Sequence, residues 1–271
     1  AKDRNTGKVL GMMSLGSDVT SIAARDNYIG WTKDNKFVDG KLRCTSIGTS
    51  IVATQPLGYN FLGGKLVAML LTDESLRAHW KKSYGDELIG LTTTALYGVH
   101  SMYNGIPLWK TLGESAGKIA LKPDDSVYKP WLEWMKDKKQ DDYKKIMTPK
   151  EGVNGPPTGV KQTLLSYMFR EIGIVKSHYN HGFKRGVYFS SFYENGRDFL
   201  RNEIDADKLV MRPKFAQGSE YINKWWKRKA IKRYTKLHTE NRLKPEMLYY
   251  SDILGMTWEE AKQQYLGEVG R

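Results

Sequence analysis

The chain has 271 residues and a formal charge of +13, from 43 Lys plus Arg against 30 Asp plus Glu. At 40 % hydrophobic and 12 % aromatic residues, this composition excludes a disordered basic tail and leaves a folded protein whose charge suits a polyanion, nucleic acid above all. No apolar run approaches the roughly 20 residues a spanning helix needs, and the single Cys44 excludes an intrachain disulfide.

Residues 9–15 (VLGMMSL), introduced by Asn5-Thr6-Gly7, read as the second arm of a hairpin. Residues 46–54 (SIGTSIVAT) form a second strand, rich in β-branched side chains. A glycine-bearing loop follows at 57–64 (LGYNFLGG), then a helix with Leu66, Val67, Leu70 and Leu71 on one face. The run Thr72-Asp73-Glu74-Ser75 caps a further helix that ends near Tyr84-Gly85. Residues 88–95 (LIGLTTTA) read as a strand, and 101–114 as a short helical or irregular return to the sheet.

A seam is expected around 121–160, where Pro123, Pro130, Pro149, Pro156 and Pro157 gather. Beyond it the pattern predicts helices at 127–139 and 161–172, a strand at 186–192 (GVYFSSF) and a helix at 194–204. The clearest helix covers 219–238, with Ile222, Trp226, Ala230, Tyr234 and Leu237 on one face. Between 219 and 244 nine basic residues face Glu220 and Glu240, a net of +7. Lys224, Lys227, Arg228, Lys229, Lys232, Arg233 and Lys236 are candidate phosphate contacts, and Trp225 is a candidate stacking platform for an exposed base.

A strand opening through glycines into a helix presents unpaired amides and a positive dipole end, a cradle for pyrophosphate. Tyr59, Asn60, Gly63, Gly64 and Lys65 are therefore candidate cofactor-binding residues, with simple turn chemistry as the alternative. Thr92, Thr93 and Thr94 could place hydroxyls at the sheet, or reflect β propensity. Asp26 beside Arg25 reads as an ion pair more readily than as a base. His178 and His181 lack a nearby cysteine pair, so no metal site is expected.

The order of strand, strand, glycine loop, helix and strand, ending in Leu112-Gly113, resembles the core of the GNAT acyltransferase superfamily. The resemblance implies an α/β, GNAT-like mixed sheet flanked by helices over 1–122. A basic, α-rich extension for nucleic acid would occupy 123–271, and the core's first elements would be missing or trimmed. It also implies acyl-CoA, or a related pyrophosphate donor, against 57–66, and a thioester in the notch left where the fifth strand of that fold splays away. Trp109 stands where that superfamily often carries a tyrosine acid, leaving Tyr97, Tyr103 and His100 as candidate catalytic residues.

A wider resemblance rests on GKVLGMMSLGS, RDNYIGW, GYNFLGGKLVAMLLT, HWKKSYGDELIGLTTTALYG and YFSSFYENGRDFLRNEID. These strings are similar to a phage and mobile-element family related to the Druantia anti-phage system, itself similar in outline to Mom-type DNA-modification enzymes. That resemblance implies DNA-associated work in the cytoplasm of a bacterial host. Two functions follow from it: a transferase that modifies DNA bases, or a non-catalytic double-stranded-DNA-binding scaffold with a degenerate site.

Overall fold

The computed structural model describes residues 1–2, 5, 7, 9–55, 57–96, 102–115, 123–148, 160–175, 184–244 and 263. It divides the chain into one unit of Ala1–Ser115 with Arg185–Arg271, and a second of Ala116–Lys184.

The first unit is built on a five-stranded mixed sheet flanked by helices. Strand β1 (Gly11–Ser17) is followed by helices α1 (Ala23–Ile29) and α2 (Lys33–Phe37) and a 3₁₀ turn at Lys41–Cys44. Strand β2 (Thr45–Ala53) then pairs antiparallel with β1. Helices α3 (Leu57–Asn60), α4 (Gly63–Leu70) and α5 (Glu74–Tyr84) cross over to β3 (Gly90–Ala95), which runs parallel to β2. A crossover of this kind is what a parallel neighbour requires. Strand β4 (Lys110–Ser115) occupies the far edge, and β5 (Arg185–Ser191) lies between β3 and β4, antiparallel to both.

Pairing between β2 and β3 covers only Thr45–Gly48 against Gly90–Thr93, although both strands continue. Beyond that point they part. Helix α4 packs on β1 and β2 through Leu66, Val67 and Met69, all buried. The opposite core joins Ile29, Ile89, Phe189, Phe199 and Leu200, where Phe199 and Leu200 belong to helix α9 (Gly196–Leu200). Both ends of α5 obey their sequence: the Asp73 carboxylate accepts from the Ser75 amide at 3.0 Å, and Gly85 takes the left-handed conformation at φ 74°.

The second unit contains helices α6 (Asp125–Lys138), α7 (Gln140–Met147) and α8 (Val160–Glu171). Met135, Leu164 and Tyr167 form its own core, and the Tyr167 hydroxyl donates to Asp142 at 2.6 Å. After α9, helix α10 (Pro213–Ala216) leads into the 22-residue α11 (Gly218–Thr239).

These two units are bounded elsewhere than at the expected 122/123. β5 comes from the second half of the sequence yet pairs with two strands of the first. Antiparallel partners tolerate a long insertion between them, since register depends on their own facing residues. The segment expected as a short helical or irregular return to the sheet ends in β4.

Candidate functional site

Helix α3 and the two residues after it join β2 to α4, and every candidate cofactor residue around this segment is engaged by the protein itself. Leu62 enters α4 in the left-handed conformation at φ 57°. A Cβ on Gly63 would lie 2.6 Å from Leu57 Cγ and 2.9 Å from the Leu57 carbonyl, so only glycine lets the loop fold back on itself here. At Gly64 a Cβ would meet Met102 Sδ at 2.8 Å. The buried Asn60 side chain closes a two-way bond with Lys244: its Oδ1 accepts from the Lys244 amide, and its Nδ2 donates to the Lys244 carbonyl, each at 2.9 Å.

Helix α11 supplies the rest of this clasp. Trp226 Nε1 donates to the Phe61 carbonyl at 2.9 Å, and the Phe61 ring stacks on Tyr234 with centroids 5.1 Å apart. Arg233 donates to the Tyr59 carbonyl at 3.4 Å and lies 4.9 Å from the centre of the Tyr59 ring. The structure thus brings together two groups that the sequence kept apart, the loop and the basic helix.

Lys65 turns away from the loop. Its Nζ donates to the Met102 carbonyl at 2.8 Å and to the Asn104 carbonyl, fixing both sides of Tyr103. Burial, and then the charge of Lys229, hold the Lys65 ammonium below the ordinary lysine range. Tyr103 is 7 % exposed and hydrogen-bonded to the Thr93 side chain, while the Thr93 hydroxyl donates to the Gly48 carbonyl at 2.9 Å. Thr93 and Gly48 are the last paired residues of β3 and β2, so the Tyr103 hydroxyl sits at the fork between the strands. Burial pushes its pKa up, against the opposing Thr93 hydrogen bond. Trp109 is core: its Nε1 donates to the Ala68 carbonyl at 3.1 Å. Tyr97, His100, His178 and His181 lie outside the described residues.

On α11, Ile222, Ala230 and Leu237 are buried and Trp226 is half-buried, which sets the inner face. Lys224, Lys227, Arg228, Lys229, Lys232 and Lys236 are exposed, whereas Trp225 and Arg233 are half-buried. No carboxylate occurs on the helix after Glu220. Lys236 lies 3.7 Å from Glu240, and Lys229 sits 6.0 Å from the Trp225 ring centre. Among the described residues, no carboxylate pairs with Lys224, Lys227, Arg228 or Lys232. Inward positions fix the helix, and outward ones carry uncompensated charge.

One cluster escaped the sequence reading. Arg25, fully buried, meets Asp18 at 2.6 Å and Asp26 at 2.7 Å, and Lys36 reaches the other Asp26 oxygen at 2.7 Å. Thr92 donates to Asp18 at 2.8 Å. The expected Arg25–Asp26 pair is present, but its further partners are Asp18, just beyond β1, Lys36 of α2 and Thr92 of β3. No local spacing signals a contact between residues 18 and 92.

Fold and site together define a mixed α/β protein with a forked parallel strand pair and a basic helix clasped to the loop beside it. The family model for Druantia protein DruA matches residues 2–202, and the chain belongs to that anti-phage defence family. Druantia protein DruA of Escherichia coli (strain UMEA 4076-1) is 27% identical over 236 residues, covering 79% of this chain and 56% of that protein. The chain therefore spans little more than half the length of this curated relative. No solved structure matches it.

Proposed function

We propose that the chain is a double-stranded-DNA-binding member of its defence family, built on a GNAT-like scaffold that holds no donor. One observation carries the reading: the outward face of α11, with Lys224, Lys227, Arg228 and Lys232 exposed and free of carboxylate partners among the described residues. Cations on a rigid, anchored helix contact successive phosphates and release counterions, giving affinity without base readout. The GNAT-like scaffold is supported by the parallel β2–β3 pair, the helical crossover between them and the parting of the strands after Gly48 and Thr93. Against a loaded acyl-CoA site stand the internal contacts of Asn60, Gly63, Gly64 and Lys65. A base-unspecific duplex titrated by fluorescence anisotropy tests the reading. Binding that weakens steeply with salt is expected, and absence of binding at low salt refutes it.

The position of Tyr103 favours a second reading, a group transferase acting on DNA bases. Its hydroxyl lies at the fork where a thioester would enter, able to protonate a departing thiolate. Tyr103→Phe would then lower modification about 10²–10⁴-fold while leaving duplex affinity intact. Mass spectrometry of nucleosides from treated DNA decides it: no modified nucleoside leaves the scaffold reading alone.

A further inference from the structure

On the face of the sheet away from α11, a second group of cations stands over aromatic rings. Tyr188 and Phe189 are neighbours on β5 and so point to opposite faces. Tyr188 belongs to the core that holds Ile222 of α11, and Phe189 to the core of Ile29, Phe199 and Leu200. Tyr28 of α1 packs on Phe189, on that second face. Lys110 Nζ, from the start of β4, lies 4.5 Å from the centre of the Tyr28 ring, and the Arg197 guanidinium of α9 lies 5.0 Å from it. Lys41 Nζ, from the 3₁₀ turn, lies 3.8 Å from the centre of the Phe199 ring.

Packing accounts for the stems of these side chains, since long cationic residues cover apolar surface and keep their heads in water. It does not account for the heads. Among the described residues no carboxylate pairs with Lys41, Lys110 or Arg197, whereas Arg201 on the same helix end takes both Asp198 at 2.7 Å and Glu203 at 2.6 Å. Lys110 and Arg197 converge on one neutral ring from two elements far apart in sequence. Like charges brought together this way disfavour each other until an anion joins them. Tyr28 is half-buried and Phe199 buried, so the patch offers a partner charge and little ring area. That suits a phosphate better than a base.

We infer that the protein holds two DNA duplex segments at once, one along α11 and a second whose backbone phosphates meet Lys41, Lys110 and Arg197. A duplex is stiff over about 50 nm, so a short one lying on α11 does not bend round the sheet to reach Tyr28. Two faces therefore mean two segments. The inference rests on the α11 reading for its first segment, while the second contact rests on the three cations alone.

The test is a capture assay with the whole chain. One duplex of about 30 base pairs, far below the persistence length, is fixed to beads, and a second carries a fluorophore. The parent protein draws the labelled duplex onto the beads. A variant with Lys41→Gln, Lys110→Gln and Arg197→Gln keeps side-chain stems over the rings, still binds a single duplex through α11, and loses the capture. The salt slope of capture flattens by about 2 to 3 units, at about 0.9 for each lost contact. Lys110→Gln alone removes a head group with no side-chain hydrogen bond among the described residues, so it folds as the parent does and lowers capture several-fold. A parent that binds single duplexes without capturing a second, or capture unchanged in the triple variant, overturns the inference and leaves the α11 reading standing. Replacing the α11 cations without loss of affinity, followed by loss when the three Gln substitutions are added, retires the α11 reading and its first segment and keeps the second contact. No binding of any duplex overturns both.

Discussion

Two clusters of the same residue types lie in one folded unit and serve opposite ends. Around Arg25, the buried Asp18 and Lys36 and the half-buried Asp26 are matched with it within 2.7 Å. Along α11, exposed Lys and Arg project from a helix with no carboxylate between Glu220 and Glu240. Buried charge survives only when paired, so the first cluster is spent on joining β1, α1, α2 and β3. Solvated charge needs no partner, so the second stays available to a polyanion. Basic composition alone does not separate these uses. Burial and pairing do.

The largest effect belongs to the buried cluster. Arg25→Met strands Asp18 and half of Asp26, and should cost about 3–5 kcal/mol in a urea titration. Lys232→Met on the α11 surface should fall within about 0.5 kcal/mol of the parent. Equal losses at the two positions would erase the distinction. Cys44 sharpens it from another side: burial pushes its thiol pKa up to about 11, with Asp86 adding to the effect. The unfolded chain ionises this thiol from about pH 9 while the folded one keeps its proton, so the folded state binds more protons over that window. Stability should therefore drop between about pH 9 and pH 11, by roughly 2–3 kcal/mol, and level off above it. Cys44→Ala should remove this component, and at pH 8 the native thiol should resist iodoacetamide.

A smaller effect is expected at the clasp. Asn60→Ala leaves the Lys244 amide and carbonyl without their partner, a loss of about 1–3 kcal/mol. Hydrogen exchange at residues 240–244 should quicken with it, while protection of β3 and β5 is retained. Protection lost evenly across the sheet would mean that the clasp is part of the core, and the helix no independent fixture.

Much of this was legible in the sequence for physical reasons. Capping chemistry at Asp73 and Gly85 is local, and α5 obeys it; the β-branched run at 46–54 and the aromatic run at 186–192 became β2 and β5. Helix α11 announced itself through its apolar stripe. Less visible was the arrangement of these pieces: β5 enters the middle of the sheet from beyond an insertion, which no hydrophobic period records. Helices α1 and α2 carry little periodicity in seven and five residues, and they went unread. At the site, the sequence found Tyr103, Lys65 and the glycine loop as separate signals. Their shared geometry depends on contacts from Thr93, Met102 and Lys244, which lie from ten to nearly two hundred residues from the groups they hold. Gly63-Gly64 shows the ambiguity best, since glycine needed for a phosphate and glycine needed for Leu57 and Met102 look alike in a string.

The account's central claim is that α11 meets duplex DNA through its outward cations. The most direct measurement is the slope of log affinity against log salt, for the parent and for a variant with Lys224, Lys227, Arg228 and Lys232 all replaced by Ala. Each lost phosphate contact should flatten the slope by about 0.9, so four should flatten it by about 3 to 4 units. Circular dichroism should be unchanged, because none of the four side chains is buried. A parent-like slope in the folded quadruple variant would contradict the claim and move the DNA contact, if there is one, to another face.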